Sequence, residues 1–390
     1  MFIIVGSGAG GATIAKELVS KGKEVLILEY GSYVDIKKAS TTYRNIKSNE
    51  IEILQNICVG GSTITSMGNA MRANFEELKD YYLEVEKELN VKDPPESHIG
   101  NGTKLLLESS SDWKKMPKSI DFSKCKSCGK CAFGCAYNAK WSAINYINYA
   151  MSKGAKLLVD SPVEKVIIKG ERAIGVKLFN GKEIMGDVIV LCAGAIETPR
   201  ILMRSGIEDV GDKFFIDIFL TIGGIVKNRK LNFNKELSMA IYIKREGYLL
   251  SPHYSMFLLP NLLSKGIKAH PEEILGIMVK IADEPNGIVK LNSIEKQISH
   301  KDFELLEKGR KEAEEILINS GVDPNYIVST HLRGAHPGGT CSSITNGYKP
   351  ILESLYIADA SILEGPLGIP PMLTIIAKSK KIASILIDEF

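Results

Sequence analysis

The sequence predicts an α/β protein in which a Rossmann-like parallel sheet binds a dinucleotide and a smaller α+β domain is attached to it. Three observations predict this fold. A glycine-rich turn joins the first apolar strand to a helix, an acidic residue follows the second strand, and apolar strands at 188–191 and 355–358 end in small or acidic residues. At roughly 150 residues per domain, 390 residues are enough for two domains.

Composition and charge exclude several classes of protein. Hydrophobic residues at 44% and charged residues at 24% are typical of a globular chain. The net charge of +3 is too small to predict binding to nucleic acid or anionic lipid. The longest apolar stretch, 214–226, contains Asp217 and is too short to span a membrane. We therefore expect a small-molecule substrate and, because the chain opens without a signal-peptide pattern, a cytoplasmic location.

The first motif occupies the opening residues of the chain. The apolar run 2–5 is followed by Gly6, Gly8 and Gly11 and then by a helical pattern. In such a turn the first glycine permits the bend, the second lets the backbone approach a pyrophosphate, and the third allows close helix–strand packing. Glu29 stands 18 positions after Gly11, where it can accept a hydrogen bond from a ribose hydroxyl. The motif alone does not separate FAD from NAD.

Three further segments resemble the glucose-methanol-choline (GMC) oxidoreductase family. They are VGGST at 59–63 with Gly68-Asn69 after it, AGAIETPRILMRSGI at 193–207, and IADASIL at 357–363 followed by PPMLTIIAKSKKIA at 370–383. The resemblance covers 1–75, about 120–210 and 330–390. It implies FAD as cofactor and oxidation of a CH–OH group, in an alcohol, sugar or hydroxy acid, by hydride transfer to the flavin.

The resemblance also implies which residues contact FAD, with the backbone of Val163 meeting adenine and a helix that begins near Pro371 directing its N-terminus at the flavin. That helix end would stabilise negative charge by roughly 0.3–2 kcal/mol. The alternatives are a loop-capping role for Asp359 and a simple turn at 60–63. The predicted cofactor-binding residues are Gly6, Gly8, Gly11, Glu29, Gly60, Gly61, Ser62, Thr63, Asn69, Val163, Ala193, Gly194, Asp359, Ala360 and Thr374.

The predicted catalytic residue is His336. The string HPGGT at 336–340 matches the family's active-site H-P-x-G-T pattern, so the resemblance implies that His336 accepts the substrate hydroxyl proton. The family's second polar residue, usually Asn or His, is replaced here by Pro370, which has no polar side chain. Either the second polar contact comes from elsewhere or the substrate does not require it.

A cysteine cluster lies between these motifs. Cys125, Cys128, Cys131 and Cys135 have the spacing C-x-x-C-x-x-C-x-x-x-C, which can wrap an iron–sulfur cluster. Ala136 replaces the proline found in ferredoxins and no second run exists, so all four would serve one cluster, 4Fe-4S being favoured and 3Fe-4S the alternative. A structural zinc and unligated thiols are further alternatives. The expected electron acceptor is a protein or quinone, with a ferredoxin or a partner subunit as candidates.

The predicted organisation follows from these motifs. The FAD-binding domain is discontinuous, from 1–75, 150–213 and 345–390; 120–149 holds the cysteine loop, and 214–344 forms the substrate domain. The leading hypothesis is an FAD-dependent dehydrogenase that exports electrons through the cluster. Two alternatives stay open: a ferredoxin-linked reductase of a carbonyl or double bond, which the substitution at Pro370 suggests, and an electron-transfer subunit of a larger complex.

Overall fold

A computed structural model describes residues 1–227 and 229–390 of the chain. Within these residues there are eight α-helices and nineteen β-strands. The helices are α1 (Ala9–Ser20), α2 (Lys79–Glu88), α3 (Asn101–Ser109), α4 (Ala143–Ser152), α5 (Gly194–Arg204), α6 (Leu258–Ser264), α7 (His300–Asn319) and α8 (Met372–Glu389). The strands are β1 (Phe2–Val5), β2 (Val25–Leu28), β3 (Ile46–Ser48), β4 (Ile51–Ile53), β5 (Lys114–Lys115), β6 (Lys156–Leu158), β7 (Val163–Lys169), β8 (Arg172–Leu178), β9 (Glu183–Met185), β10 (Val188–Leu191), β11 (Ile218–Ile225), β12 (Ile241–Lys244), β13 (Tyr248–Pro252), β14 (Ile274–Ile281), β15 (Ile288–Val289), β16 (Ile294–Glu295), β17 (Val328–Ser329), β18 (Arg333–Gly334) and β19 (Leu355–Ile357).

The first sheet is parallel and has the strand order β19-β10-β1-β2-β6. Its central strands are the apolar runs FIIV, VLIL and VIVL, and every residue in them is buried, as expected for a parallel sheet covered on both faces. Helix α1 packs against α8 and α4. The predicted Rossmann-like α/β fold is confirmed, and the carboxyl ends of β1, β2, β10 and β19 meet at one edge.

The second sheet is mainly antiparallel, with the order β3-β4-β18-β11-β14-β13-β12-β5 and β17 added to β11. Its central strands β11 and β14 are buried along their whole length, and α7 packs against β14. Strands β3 and β4 belong to this sheet although they fall within the predicted domain segment 1–75. The division into domains stays a prediction.

Two small sheets complete the strand pairing. Strands β7, β8 and β9 form an antiparallel sheet, and β15 pairs with β16. Predicted substrate-domain residues 300–319 form α7, which begins with a capping box at Ser299 and Asp302. Across the described ranges, no helix combines the length and apolar character needed to cross a bilayer.

Candidate active site

The first glycine turn leaves the start of α1 open. A Cβ on Gly6 would lie 2.3 Å from the carbonyl oxygen of Cys192, and one on Gly11 would lie 2.0 Å from that of Gly6, so both positions require glycine. A Cβ on Gly8 would meet no heavy atom of the described residues within 4 Å. Gly8 is the N-cap of α1, and no side chain in the described part of the chain caps this helix end. The open space therefore faces unpaired N–H groups, which suits a phosphate.

Glu29 connects this turn to the second glycine loop. Its Oε2 accepts hydrogen bonds from the backbone N–H of Ser7 at 2.9 Å and from Ser7 Oγ at 2.6 Å, and its Oε1 accepts one from Gly31 N–H at 2.9 Å. Ser7 Oγ in turn accepts a hydrogen bond from Gly60 N–H at 3.0 Å. Burial raises the pKa of Glu29. Contact between Glu29 and a ribose stays a prediction.

The second glycine loop packs directly on the first. A Cβ on Gly61 would lie 3.3 Å from Gly8 Cα, and Gly60 has a φ of +89° that favours glycine. Thr63 Oγ1 donates to the Gly60 carbonyl at 2.6 Å and accepts from Ala143 N–H at 2.9 Å. The residues that the two motifs single out therefore lie side by side.

Asp359 joins the C-terminal loop to the start of α5. Its Oδ2 accepts hydrogen bonds from Gly194 N–H at 2.9 Å and Thr198 Oγ1 at 2.6 Å, while its Oδ1 accepts one from Ser361 N–H at 2.8 Å. Burial raises the pKa of this carboxyl group. Asp359 thus has the loop-capping role that was the alternative, and its contact with FAD stays a prediction.

The other predicted cofactor residues are distributed around this edge. Ser62 Oγ accepts from Asn56 N–H at 3.2 Å, Ala193 precedes α5, and Ala360 accepts from Gly339 N–H at 3.1 Å. Val163 is buried at the start of β7, and Thr374, buried in the first turn of α8, has its Oγ1 3.0 Å from the hydroxyl of Tyr82.

His336 is held by one ring nitrogen. Its Nδ1 lies 2.8 Å from Asp217 Oδ2, and a carboxylate accepts, so Nδ1 donates and the lone pair is on Nε2. In the described part of the chain, Nε2 forms no hydrogen bond. The side chain is 23% exposed, which leaves it accessible to a small molecule. Burial lowers the pKa of His336 below its ordinary 6.5, so the ring is neutral at pH 7.

Asp217 is a candidate site residue that sequence reasoning missed. It is buried, and its Oδ2 also accepts from Lys280 Nζ at 2.7 Å. Burial acts to raise the pKa of Asp217, but Lys280 and His336 hold it below 3.8. Asp217 adopts a φ of +50°, uncommon for a non-glycine residue. The available signal was a single charged residue within the apolar run 214–226.

A second buried ion pair fixes the backbone around Asp217. Asp283 accepts hydrogen bonds from the N–H groups of Ile216 and Ile218 at 3.2–3.3 Å, and its Oδ2 lies 2.8 Å from Lys296 Nζ. The side chains of Asp283 and Lys296 are both 0% exposed. Because these bonds hold the residues before and after Asp217, they stabilise its left-handed conformation.

The four predicted metal-ligand cysteines line one cavity. Its empty space, including the part open to solvent, is about 360 Å³. The N–H of Ser127 donates to Cys125 Sγ at 3.4 Å, and that of Ala139 donates to Cys135 Sγ at 3.3 Å. Burial raises the pKa of the Cys125 and Cys131 thiols. Among the described residues, no group of three or more His, Cys, Asp or Glu side chains could hold a metal ion.

Two buried lysines near this cavity form hydrogen bonds with the segment that follows the second glycine loop. Lys118 Nζ donates to the carbonyl of Met67 and to Asn69 Oδ1. Lys140 Nζ donates to the carbonyls of Ser66 and Cys131. Burial lowers the pKa of Lys118 to about 7 and that of Lys140 to about 8, while ionisation of the nearby cysteines would act to raise both.

Pro370 offers no replacement for the missing polar residue. It is buried, and the preceding Ile369 packs with Met71, Met116 and Leu249. The polar partner that His336 does possess, Asp217, comes from the entry to β11.

Comparison with known proteins identifies the family. The GMC oxidoreductase model matches residues 65–219. An uncharacterized protein of Methanocaldococcus jannaschii is 36% identical, covering 97% of this chain and 98% of the relative. A long-chain-alcohol oxidase of Arabidopsis thaliana is 22% identical over 96% of this chain and 66% of the relative. The chain spans only 39–50% of the length of several other GMC-type relatives.

A solved structure shares the fold. The crystal structure of pyridoxine 4-oxidase from Mesorbium loti aligns with a TM-score of 0.74 at 13% identity and covers 98% of both chains. Together with the matched segment and the glycine, histidine and C-terminal motifs, this similarity leads to one conclusion. The chain belongs to the GMC oxidoreductase family.

Proposed function

We propose that the protein is an FAD-dependent dehydrogenase that oxidises a CH–OH group and passes the electrons through an iron–sulfur cluster to an external acceptor. The observation that carries this proposal is the arrangement of His336, whose Nδ1 is held by Asp217 while Nε2 forms no hydrogen bond with any residue that the structure describes. A neutral imidazole held in one tautomer is suited to accept a hydroxyl proton.

The proton step uses three side chains. His336 Nε2 accepts the proton of the substrate hydroxyl as the C–H bond breaks. Asp217 keeps Nδ1 protonated and stabilises the resulting imidazolium, and Lys280 keeps Asp217 ionised. Bound FAD would supply the acceptor for the hydride that leaves the substrate carbon.

The residues present fit FAD. Open space at Gly8 lies before the uncapped N-terminus of α1, where a pyrophosphate would be stabilised. Gly61 packs against Gly8, so the second glycine loop would contact the same cofactor. Glu29 at the end of β2 is in the usual position for ribose recognition.

The cysteine cavity supports a cluster. Backbone N–H groups donate to two of the four sulfurs, an interaction that tunes iron–sulfur centres. One tetrahedral zinc ion requires its sulfurs about 2.3 Å from a single point. In a cluster each thiolate binds a different iron, so four sulfurs around a cavity need not converge on one point. A bound cluster would accept and release single electrons.

The surface around the cysteine loop supports a protein acceptor of acidic character. Lys124, Lys126 and Lys130 are exposed there, and Phe133 and Tyr137 are each 48% exposed. Positive charge beside exposed aromatic rings favours docking of an acidic electron carrier such as a ferredoxin.

The environment of His336 supports a substrate with an apolar body. Phe219, Met239 and Met278 form a buried cluster against which Met67 and Ala335, the neighbour of His336, pack. A sugar would leave hydroxyl groups unpaired against such a wall. One relative is named a long-chain-alcohol oxidase, in agreement with an aliphatic alcohol as substrate.

The two alternative hypotheses predict different behaviour. A ferredoxin-linked reductase would consume electrons from reduced ferredoxin when a carbonyl or alkene is added. An electron-transfer subunit would keep its activity within a complex after His336→Ala.

The test is anaerobic reduction of the bound flavin by a panel of aliphatic alcohols of increasing chain length, with sugars and hydroxy acids alongside. We expect aliphatic alcohols to bleach the flavin absorbance and His336→Gln to slow bleaching by about 10²–10⁴-fold while retaining flavin. Absence of flavin, or failure of every donor to bleach it, would overturn the proposal.

A further inference from the structure

Two lysines beside the cysteine cavity are buried. Lys118 is 0% and Lys140 6% exposed. All their hydrogen-bond acceptors are neutral oxygens: the carbonyls of Met67 and Ser238 and Asn69 Oδ1 for Lys118, and the carbonyls of Ile64, Ser66 and Cys131 for Lys140. Within the described residues, neither ammonium group forms an ion pair. Burial of an unpaired charge costs several kcal/mol.

The cysteine thiols are the groups that can supply the missing negative charge. Lys140 lines the cavity together with all four cysteines, and its Nζ donates a hydrogen bond to the carbonyl of Cys131 at 3.2 Å. Lys118 Nζ donates to the carbonyl of Ser238, whose neighbour Leu237 is also part of the cavity lining. Thiols carry that charge when a metal deprotonates them, so the two lysines favour an anionic, thiolate-bound occupant.

We propose that Lys118 and Lys140 balance the negative charge of a cluster bound by Cys125, Cys128, Cys131 and Cys135 and thereby raise its reduction potential. This inference rests on the proposed cluster. Reduction adds one electron, supplied by dithionite in a titration, and neither makes nor breaks a bond. The added charge is more stable when buried cations lie close by in a medium of low dielectric.

The same lysines contact the segment that follows the second glycine loop. Lys118 holds the side chain of Asn69 and Lys140 holds the carbonyls of Ile64 and Ser66. Asn69 is a predicted FAD contact, so the charges lie between the two predicted redox sites. Their effect is expected mainly on the cluster, because Lys140 lines the cavity that would hold it.

The test is an anaerobic redox titration of the wild type, Lys118→Met and Lys140→Met, monitored by electron paramagnetic resonance. The iron and sulfide content of each protein is measured as well. We expect the variants to retain iron and to lose at least tenfold in the equilibrium constant for reduction, which is about 59 mV toward negative potential for a one-electron couple. Lys140→Arg keeps the charge, so its reduction potential should stay close to that of the wild type. Lys153→Met removes an exposed charge outside the cavity lining and should have a much smaller effect because water screens it.

The outcomes separate the two proposals. If the wild type holds no cluster, the proposed cluster is wrong and this inference with it. If iron-loaded Lys118→Met and Lys140→Met keep the wild-type potential, the lysine inference alone is wrong. If Lys140→Met does not fold, the comparison of Lys118→Met with Lys118→Arg decides the question by the same criterion.

Discussion

The His336 site and the cysteine cavity each contain two buried lysines, but the lysines differ in their partners. Lys280 and Lys296 each form an ion pair with a buried aspartate. Among the described residues, the ammonium groups of Lys118 and Lys140 donate only to neutral oxygens. The polypeptide therefore completes its own charge balance at the His336 site, whereas at the cysteine cavity we propose that a thiolate-bound occupant completes it. The first arrangement suits the proposed proton acceptor and the second suits a charged occupant.

The largest effect is expected when the buried ion pair between Asp283 and Lys296, near the His336 site, is broken. Asp283→Ala leaves Lys296 buried without a counter-ion and removes the acceptor for the N–H groups of Ile216 and Ile218. We expect a loss of about 3–5 kcal/mol in the free energy of unfolding, measured by denaturant titration. Glu295→Ala is the control, because its pair with Lys290 is more than half exposed and contributes about 0–1 kcal/mol. Equal effects of both changes would contradict the importance of burial.

The second-largest effect is expected from a substitution of Asp217. Asp217→Asn removes the charge that fixes the His336 tautomer, so kcat should fall at least about tenfold while KM changes little. The same change leaves Lys280 unpaired and should reduce stability. The double variant Asp217→Asn with Lys280→Met removes both charges and should recover stability without recovering kcat. Recovery of kcat in the double variant would show that Asp217 acts only on folding.

The pH dependence of kcat/KM tests the roles of His336 and Asp217 together. His336 must be unprotonated to accept a proton, and burial lowers its pKa below 6.5. We therefore expect kcat/KM to reach a plateau on the alkaline side of the lowered pKa and to fall about tenfold per pH unit on its acid side. Because Asp217 acts to raise this pKa, the acid limb should move to lower pH in Asp217→Asn. An acid limb that stays in place would contradict the assignment of the titrating group to His336.

The smallest effect is expected at the surface of the cysteine loop. Charge reversal at Lys126 and Lys130, both exposed, should lower the rate of electron transfer to an acidic ferredoxin severalfold at low salt and little at high salt. Stopped-flow reduction of the carrier measures this rate. A loss that does not depend on ionic strength would argue against electrostatic docking.

Local patterns predicted the first sheet well because its information is local. The apolar run at 2–5, the glycine spacing and Glu29 all lie within the first 29 residues, and the sheet that they predict is present. His336 was predicted from a string of five residues.

The charge network was not predictable in the same way. Asp217 and His336 are 119 positions apart, and only the pairing of the 335–338 loop with Phe215 and Ile216 brings them together. Lysines are usually exposed, so nothing in the sequence marked Lys118, Lys140 or Lys296 as buried. Lys280 did carry a signal, as a single charge in the apolar run ILGIMVKI.

The central claim is that one chain holds both a flavin and an iron–sulfur cluster. Analysis of flavin, iron, sulfide and zinc in a single anaerobically purified sample tests it most directly. The account predicts one flavin together with about four irons and four sulfides per chain, or about three irons for a 3Fe-4S centre. Flavin with one zinc or with no metal, or a sample without flavin, would contradict it.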